Sequence, residues 1–144
     1  MKSSRRTFLK TLGAAGLFTI IPRHVLGGNG HIPPSDQLTR GIIGTGGIGR
    51  SSYHFNSDKT CRLVALCDVD SNHLTSASNL AKERFGETVA QYHDFHDLIN
   101  DTNVDIVHIA TPPHWHGIMA VEAAKAGKDI WCEKPMTRTI GEGQ

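Results

Sequence analysis

Short apolar runs and helix-spaced apolar positions alternate along the chain from Leu38 to Cys132. Arg40-Gly-Ile-Ile43 reads as a first strand, and residues 47–55 are predicted to open a helix. Arg62-Leu-Val-Ala-Leu-Cys67 is almost continuously apolar, the pattern of a strand buried on both faces. Leu74, Ala77, Ala81 and Phe85 then recur at helical spacing, with Ser71 placed to cap that helix and Gly86 to stop it. Residues 88–92 form a short third strand, and Asp94 caps a short helix through Phe95, Leu98 and Ile99. Residues 104–110 are the fourth strand. Met119, Ala120, Ala123 and Ala124 mark a helix that ends at Gly127, and 129–132 is the fifth strand. This alternation predicts an α/β fold, a doubly wound parallel sheet with helices on both faces.

Composition adds where such a sheet can sit. The 144 residues, 38% hydrophobic and 20% charged, suffice for one domain with one core. The formal net charge is +1, unevenly spread. Lys2, Arg5, Arg6, Lys10 and Arg23 precede residue 28 with no acid among them, so 28–144 carry 10 basic against 14 acidic residues, or −4. A mildly acidic body argues against nucleic-acid binding. The basic start matches a twin-arginine export signal, Ser4-Arg5-Arg6-Thr7-Phe8-Leu9-Lys10, followed by an apolar stretch over 11–21 too short to span a bilayer. Residues 1–27 are therefore expected to be a signal cleaved after Gly27, 28–37 a Gly- and Pro-rich linker, and 38–144 the folded domain. The expected location is periplasmic or extracellular, reached in the folded state, with no stable membrane anchor. Cys61, Cys67 and Cys132 show no Cys-x-x-Cys spacing, so neither a zinc site nor a redox pair is indicated.

Gly44-Thr45-Gly46-Gly47-Ile48-Gly49 follows the first strand directly. Its G-x-G-x-x-G spacing gives a tight turn and lets backbone approach a pyrophosphate, which the next helix start favours electrostatically. Asp68 ends the second strand, 19 positions past Gly49. A carboxylate there accepts from ribose hydroxyls and repels a 2′-phosphate, which favours NAD over NADP. Asp70 reads as a helix-start residue. Ala110-Thr-Pro-Pro-His-Trp-His116 follows the fourth strand, where Thr111, Pro112 and His116 are candidates to touch the nicotinamide half. His114 with His116, and His93 with His96, have spacings that metals use, but no cysteine or carboxylate completes either set, so no metal is expected. His108 reads as a core residue with its polar atoms satisfied. Glu133-Lys134-Pro135 follows the fifth strand, at the end where open α/β sheets bind ligands. From the residues alone, Lys134 is equally a surface charge or a proton-handling group, with Glu133 orienting it or touching the cofactor.

Taken together, Gly44–Gly49, Leu66-Cys-Asp-Val-Asp70, the Thr-Pro-Pro loop and Glu133-Lys134-Pro135 resemble the Gfo/Idh/MocA family of glucose–fructose oxidoreductases and inositol dehydrogenases. The resemblance covers about residues 38–144. It implies a Rossmann-type NAD(P)-binding domain and a second domain that holds substrate and builds a homo-oligomer. That second domain is expected beyond residue 144, together with a catalytic Asp and His. Lys134 matches the family's catalytic lysine. The implied reaction is hydride transfer at a secondary hydroxyl of a sugar, sugar derivative or cyclitol. Two alternatives stand beside it: a glycosidase that oxidises its sugar transiently, and a non-catalytic nucleotide-binding module. Retention of Glu-Lys-Pro favours the dehydrogenase.

Overall fold

A computed structural model describes residues 32–144 apart from 52, 53 and 59. The chain divides into two compact units, 1–33 and 34–144. The export signal and its cleavage point lie outside the described residues.

The second unit is a five-stranded parallel sheet, ordered β3-β2-β1-β4-β5. Its strands are β1 (Leu38–Ile43), β2 (Cys61–Cys67), β3 (Ala90–Tyr92), β4 (Ile106–Ile109) and β5 (Asp129–Cys132). Among the described residues, three α-helices link β2 through β5: α1 (Ser71–Phe85), α2 (Phe95–Asn100) and α3 (Pro113–Lys125). The order confirms the Rossmann-type reading. The chain winds outward from β1 through β2 to β3, then returns to β4 on the other side of β1. The order in which strands are added therefore reverses between β1 and β4, and ligands of such folds bind at that switch point, beyond the carboxyl ends of the strands.

Two cores flank the sheet because a strand's side chains alternate between faces. Ile42 packs with Leu63, Leu66, Leu74, Ala77 and Ala81 under α1. Its neighbour Ile43 packs with Cys67, Leu98, Val107, Ile109, Met119 and Ala123 under α2 and α3. Strict alternation would put Leu63 and Ala65 on one face, yet they belong to different cores. The register explains this: Arg40 pairs with Leu63 while Gly41 pairs with Ala65, so Val64 is an extra residue in β2, a β-bulge. Bulges carry no signature in an apolar run, and the sequence did not reveal this one.

The helix caps differ from expectation at one end. Asp70, not Ser71, caps α1, accepting from the Asn72 N–H at 2.7 Å. Asp94 caps α2 as expected, accepting from the His96 N–H at 2.9 Å. Gly86 ends α1 at φ 70°, a conformation glycine adopts without a side-chain clash. The predicted helix over 47–55 is corrected: its described residues form turns, held by bonds such as Arg50 N–H to Gly46 O at 3.2 Å and Phe55 N–H to Ser51 O at 2.8 Å. Two glycines inside that span, Gly47 and Gly49, disfavour it, each costing about 1 kcal/mol against alanine in a helix.

Candidate functional site

The carboxyl ends of four strands are laced together. Gly44 N–H donates to Cys67 O at 2.8 Å, Ala110 N–H to Ile43 O at 2.8 Å, and Glu133 N–H to Ile109 O at 2.9 Å. The glycine turn, Asp68, the Thr-Pro-Pro loop and Glu133-Lys134-Pro135 thus meet along one edge. With neighbouring strands about 4.8 Å apart, Lys134 stands two strands, or roughly 10 Å, from Gly44.

The glycine turn is tightly built. Gly44 has φ 89°, and a Cβ there would lie 2.8 Å from the Ala110 carbonyl. A Cβ on Gly49 would lie 1.9 Å from Gly44 O, so neither position admits a side chain. Gly46 and Gly47 face outward: a Cβ on Gly47 meets no protein atom within 4 Å. That bare face is the approach a pyrophosphate needs, and it shows that the residues present fit a dinucleotide. Ile48 is exposed beside it.

Asp68 does more than the sequence indicated. Its Oδ2 accepts from Thr45 N–H at 2.8 Å and from the Thr45 hydroxyl at 3.1 Å, while Oδ1 accepts from Asp70 N–H at 2.9 Å. Thr45 is fully buried by this arrangement. A carboxylate has about four acceptor positions, so about one remains for a ribose hydroxyl unless Thr45 yields. Asp68 therefore also holds the glycine turn in shape.

The loop after β4 is braced from behind. Pro112 and Pro113 start α3, and the Thr111 hydroxyl donates to Met119 Sδ at 3.7 Å. His116 is buried, with Nε2 at 2.7 Å from Thr111 O and Nδ1 at 2.7 Å from Pro135 O. It joins the two loops, so its observed part is to fix their spacing. Lys134 is exposed, and the Lys134–Pro135 peptide is cis. His93 and His96 bond to Asp68 O and Asp94, and His114 is exposed.

One grouping escaped sequence reasoning. His54, from the turns after the glycine loop, meets His108 of β4 and Glu133 beyond β5. His108 is fully buried and neither ring nitrogen has a hydrogen-bond partner, which corrects the expectation of a satisfied core histidine. Burial first, then the nearby charges of Arg40 and His54, hold its pKa down to about 4 against the pull of Glu133. The three residues are far apart in sequence, and no spacing rule connects them. The alternation of faces along β4 was the available signal: Val107 and Ile109 face one core, so His108 must face the other side.

The family model for oxidoreductases with an NAD-binding Rossmann fold, Gfo/Idh/MocA, matches residues 38–144. The chain belongs to the Gfo/Idh/MocA family. Among curated relatives, it is 40% identical over 117 residues to a Glycosyl hydrolase family 109 protein of Shewanella sp. strain ANA-3, covering 77% of this chain and 25% of that protein. It is 33% identical over 109 residues to an inositol 2-dehydrogenase of Salmonella typhimurium strain LT2, covering 74% of this chain and 31% of that one. Among solved structures, myo-inositol dehydrogenase from Lactobacillus casei in complex with NAD(H) and myo-inositol superposes with TM-score 0.64 at 25% identity, over 74% of this chain and 31% of that one. The chain thus spans a quarter to a third of the length of these Gfo/Idh/MocA relatives. It carries their NAD-binding domain.

Proposed function

We propose that this Gfo/Idh/MocA chain is the cofactor-holding part of an exported NAD-dependent oxidoreductase acting at a secondary hydroxyl of a sugar, sugar derivative or cyclitol. The observation that carries this reading is Lys134, exposed at the end of β5 on the same laced edge as the glycine turn. Bound nicotinamide would supply the hydride acceptor or donor. The N–H groups of Gly46, Gly47 and Ile48 would hold the pyrophosphate, with Gly44 and Gly49 keeping the turn closed. Asp68 accepts from the ribose and disfavours a 2′-phosphate. Thr111, Pro112 and Glu133 would border the nicotinamide half, their loops held in place by His116. Lys134 Nζ hydrogen-bonds the substrate hydroxyl and helps carry its proton as the carbon–hydrogen bond breaks.

A second reading has its own support in the 40% identity to a family 109 glycosyl hydrolase. The same cofactor site would then serve a transient oxidation, with elimination, hydration and return of the hydride. Glu133-Lys134-Pro135 favours the dehydrogenase.

Full-length protein incubated with sugars, cyclitols, chromogenic glycosides and NAD separates the two. Net accumulation of reduced cofactor is the dehydrogenase outcome; glycoside cleavage without it is the hydrolase outcome. Lys134→Ala should keep NAD binding and lose turnover by at least about a hundredfold, and unchanged turnover removes Lys134 from the reaction. Export through the twin-arginine route is part of the proposal, supported by Ser4-Arg5-Arg6-Thr7-Phe8-Leu9-Lys10. Replacing Arg5 and Arg6 with lysine should leave the protein in the cytoplasmic fraction; periplasmic recovery of that variant would refute the route.

A further inference from the structure

We propose that His54, His108 and Glu133 form a binding site for a divalent transition metal of the zinc class, clasping the segment after the glycine turn to β4 and the end of β5. Each residue offers one ligand atom, and the three atoms lie within 4.8 Å of one another. His54 Nδ1 is 3.3 Å and His108 Nε2 is 3.6 Å from the same oxygen, Glu133 Oε1. Those separations exceed good N–H···O hydrogen bonds, which centre on about 2.9–3.0 Å. They match the edge of a tetrahedron of ligands around zinc, about 3.4 Å for metal–ligand bonds of about 2.05 Å.

The ligand chemistry agrees. Two imidazole nitrogens and a carboxylate suit zinc and its neighbours, not the hard, all-oxygen cations. His108 is fully buried, with neither ring nitrogen in a hydrogen bond. Nε2 has only the long 3.6 Å contact to Glu133 Oε1; a buried polar group that lacks a good hydrogen bond costs about 1–3 kcal/mol, and a cation between the two would satisfy both. Trp131 walls the cluster, its ring centroid 5.6 Å from that of His108 and 6.3 Å from that of His54. Three protein ligands leave one position for water. This site is distinct from the two histidine pairs that the sequence made visible; it shares Glu133 with the proposed nicotinamide border, but its evidence is the His54–His108–Glu133 geometry alone.

The test uses the full chain without a histidine tag, stripped by chelator and dialysed against micromolar free zinc. Elemental analysis should return one zinc per chain, and cobalt substituted for zinc should show the visible absorption of a four-coordinate site. His54→Ala and Glu133→Gln should each weaken zinc binding at least about tenfold, with unchanged circular dichroism, while His114→Ala on exposed α3 should bind as the parent does. A chain that returns metal-free, or His54→Ala and Glu133→Gln variants that hold zinc as tightly as the parent, overturns the site.

Discussion

At the scale of single residues, the glycine turn separates what the fold needs from what a ligand needs. A Cβ on Gly49 would sit 1.9 Å from Gly44 O, so Gly49→Ala must open the turn itself. A Cβ on Gly47 meets no protein atom within 4 Å, so only a bound group could object to it. We therefore expect Gly47→Ala to keep the parent's melting temperature while weakening NAD at least about tenfold in calorimetric titration. Gly49→Ala should lower both. Cys67 gives a second residue-scale prediction. Burial, then the charge of Asp68, pushes its thiol up to about 12, whereas an unfolded thiol ionises near about 8.5. Between those values the folded chain holds the extra proton, so stability falls as pH rises, by up to about 1.4 kcal/mol per pH unit. Urea midpoints followed from about pH 8 to about pH 11 should fall less steeply in Cys67→Ala than in the parent. The glycines and Asp68 were legible because their chemistry is local. The His54–His108–Glu133 cluster was not, because only the sheet brings those residues together.

At the scale of elements, the strands were readable and the contacts between layers were not. β2 is almost continuously apolar and the other strands are short and partly apolar, and α1 and α2 announce themselves by spacing and by Asp70 and Asp94. The close approach of α2 to β1 is invisible in sequence. Gly41 lies under Leu98, and a Cβ there would come within 2.9 Å of Leu98 Cδ2. Leu98 is itself fully buried and cannot swing out. Gly41→Ala should destabilise the chain by about 1–3 kcal/mol, the usual cost of overpacking. Adding Leu98→Val, which trims the clashing methyls, should restore part of that loss in thermal melts. Asp94 tests the cap of α2. Its carboxylate is held below its ordinary pKa by the His96 backbone N–H first, then by the His96 ring. Asp94→Ala should lower the melting temperature, and Asp94→Ser should recover most of it, because a hydroxyl can still accept from that N–H.

At the scale of the whole molecule, charge and fold make opposite demands on an anionic cofactor. Residues 28–144 carry a net charge of −4, so at long range the domain repels a dinucleotide. The proposed attraction is confined to the carboxyl edge of the sheet, through backbone N–H groups of the bare Gly46–Gly47 face of the turn. Such groups are dipoles, fixed in place and short in range, and salt screens them far less than it screens separated charges. Raising ionic strength should therefore remove the long-range repulsion and leave the local contacts intact. We expect NAD affinity to stay level or rise severalfold between about 0.01 and 0.15 M salt, over which the screening length shortens from about 30 to about 8 Å. The measurement is a calorimetric titration at each salt concentration. A steep loss of affinity would mean that lysine and arginine side chains, with Arg50 and Lys134 the nearest candidates, carry the phosphate contact. The glycine turn would then serve only to let them reach it.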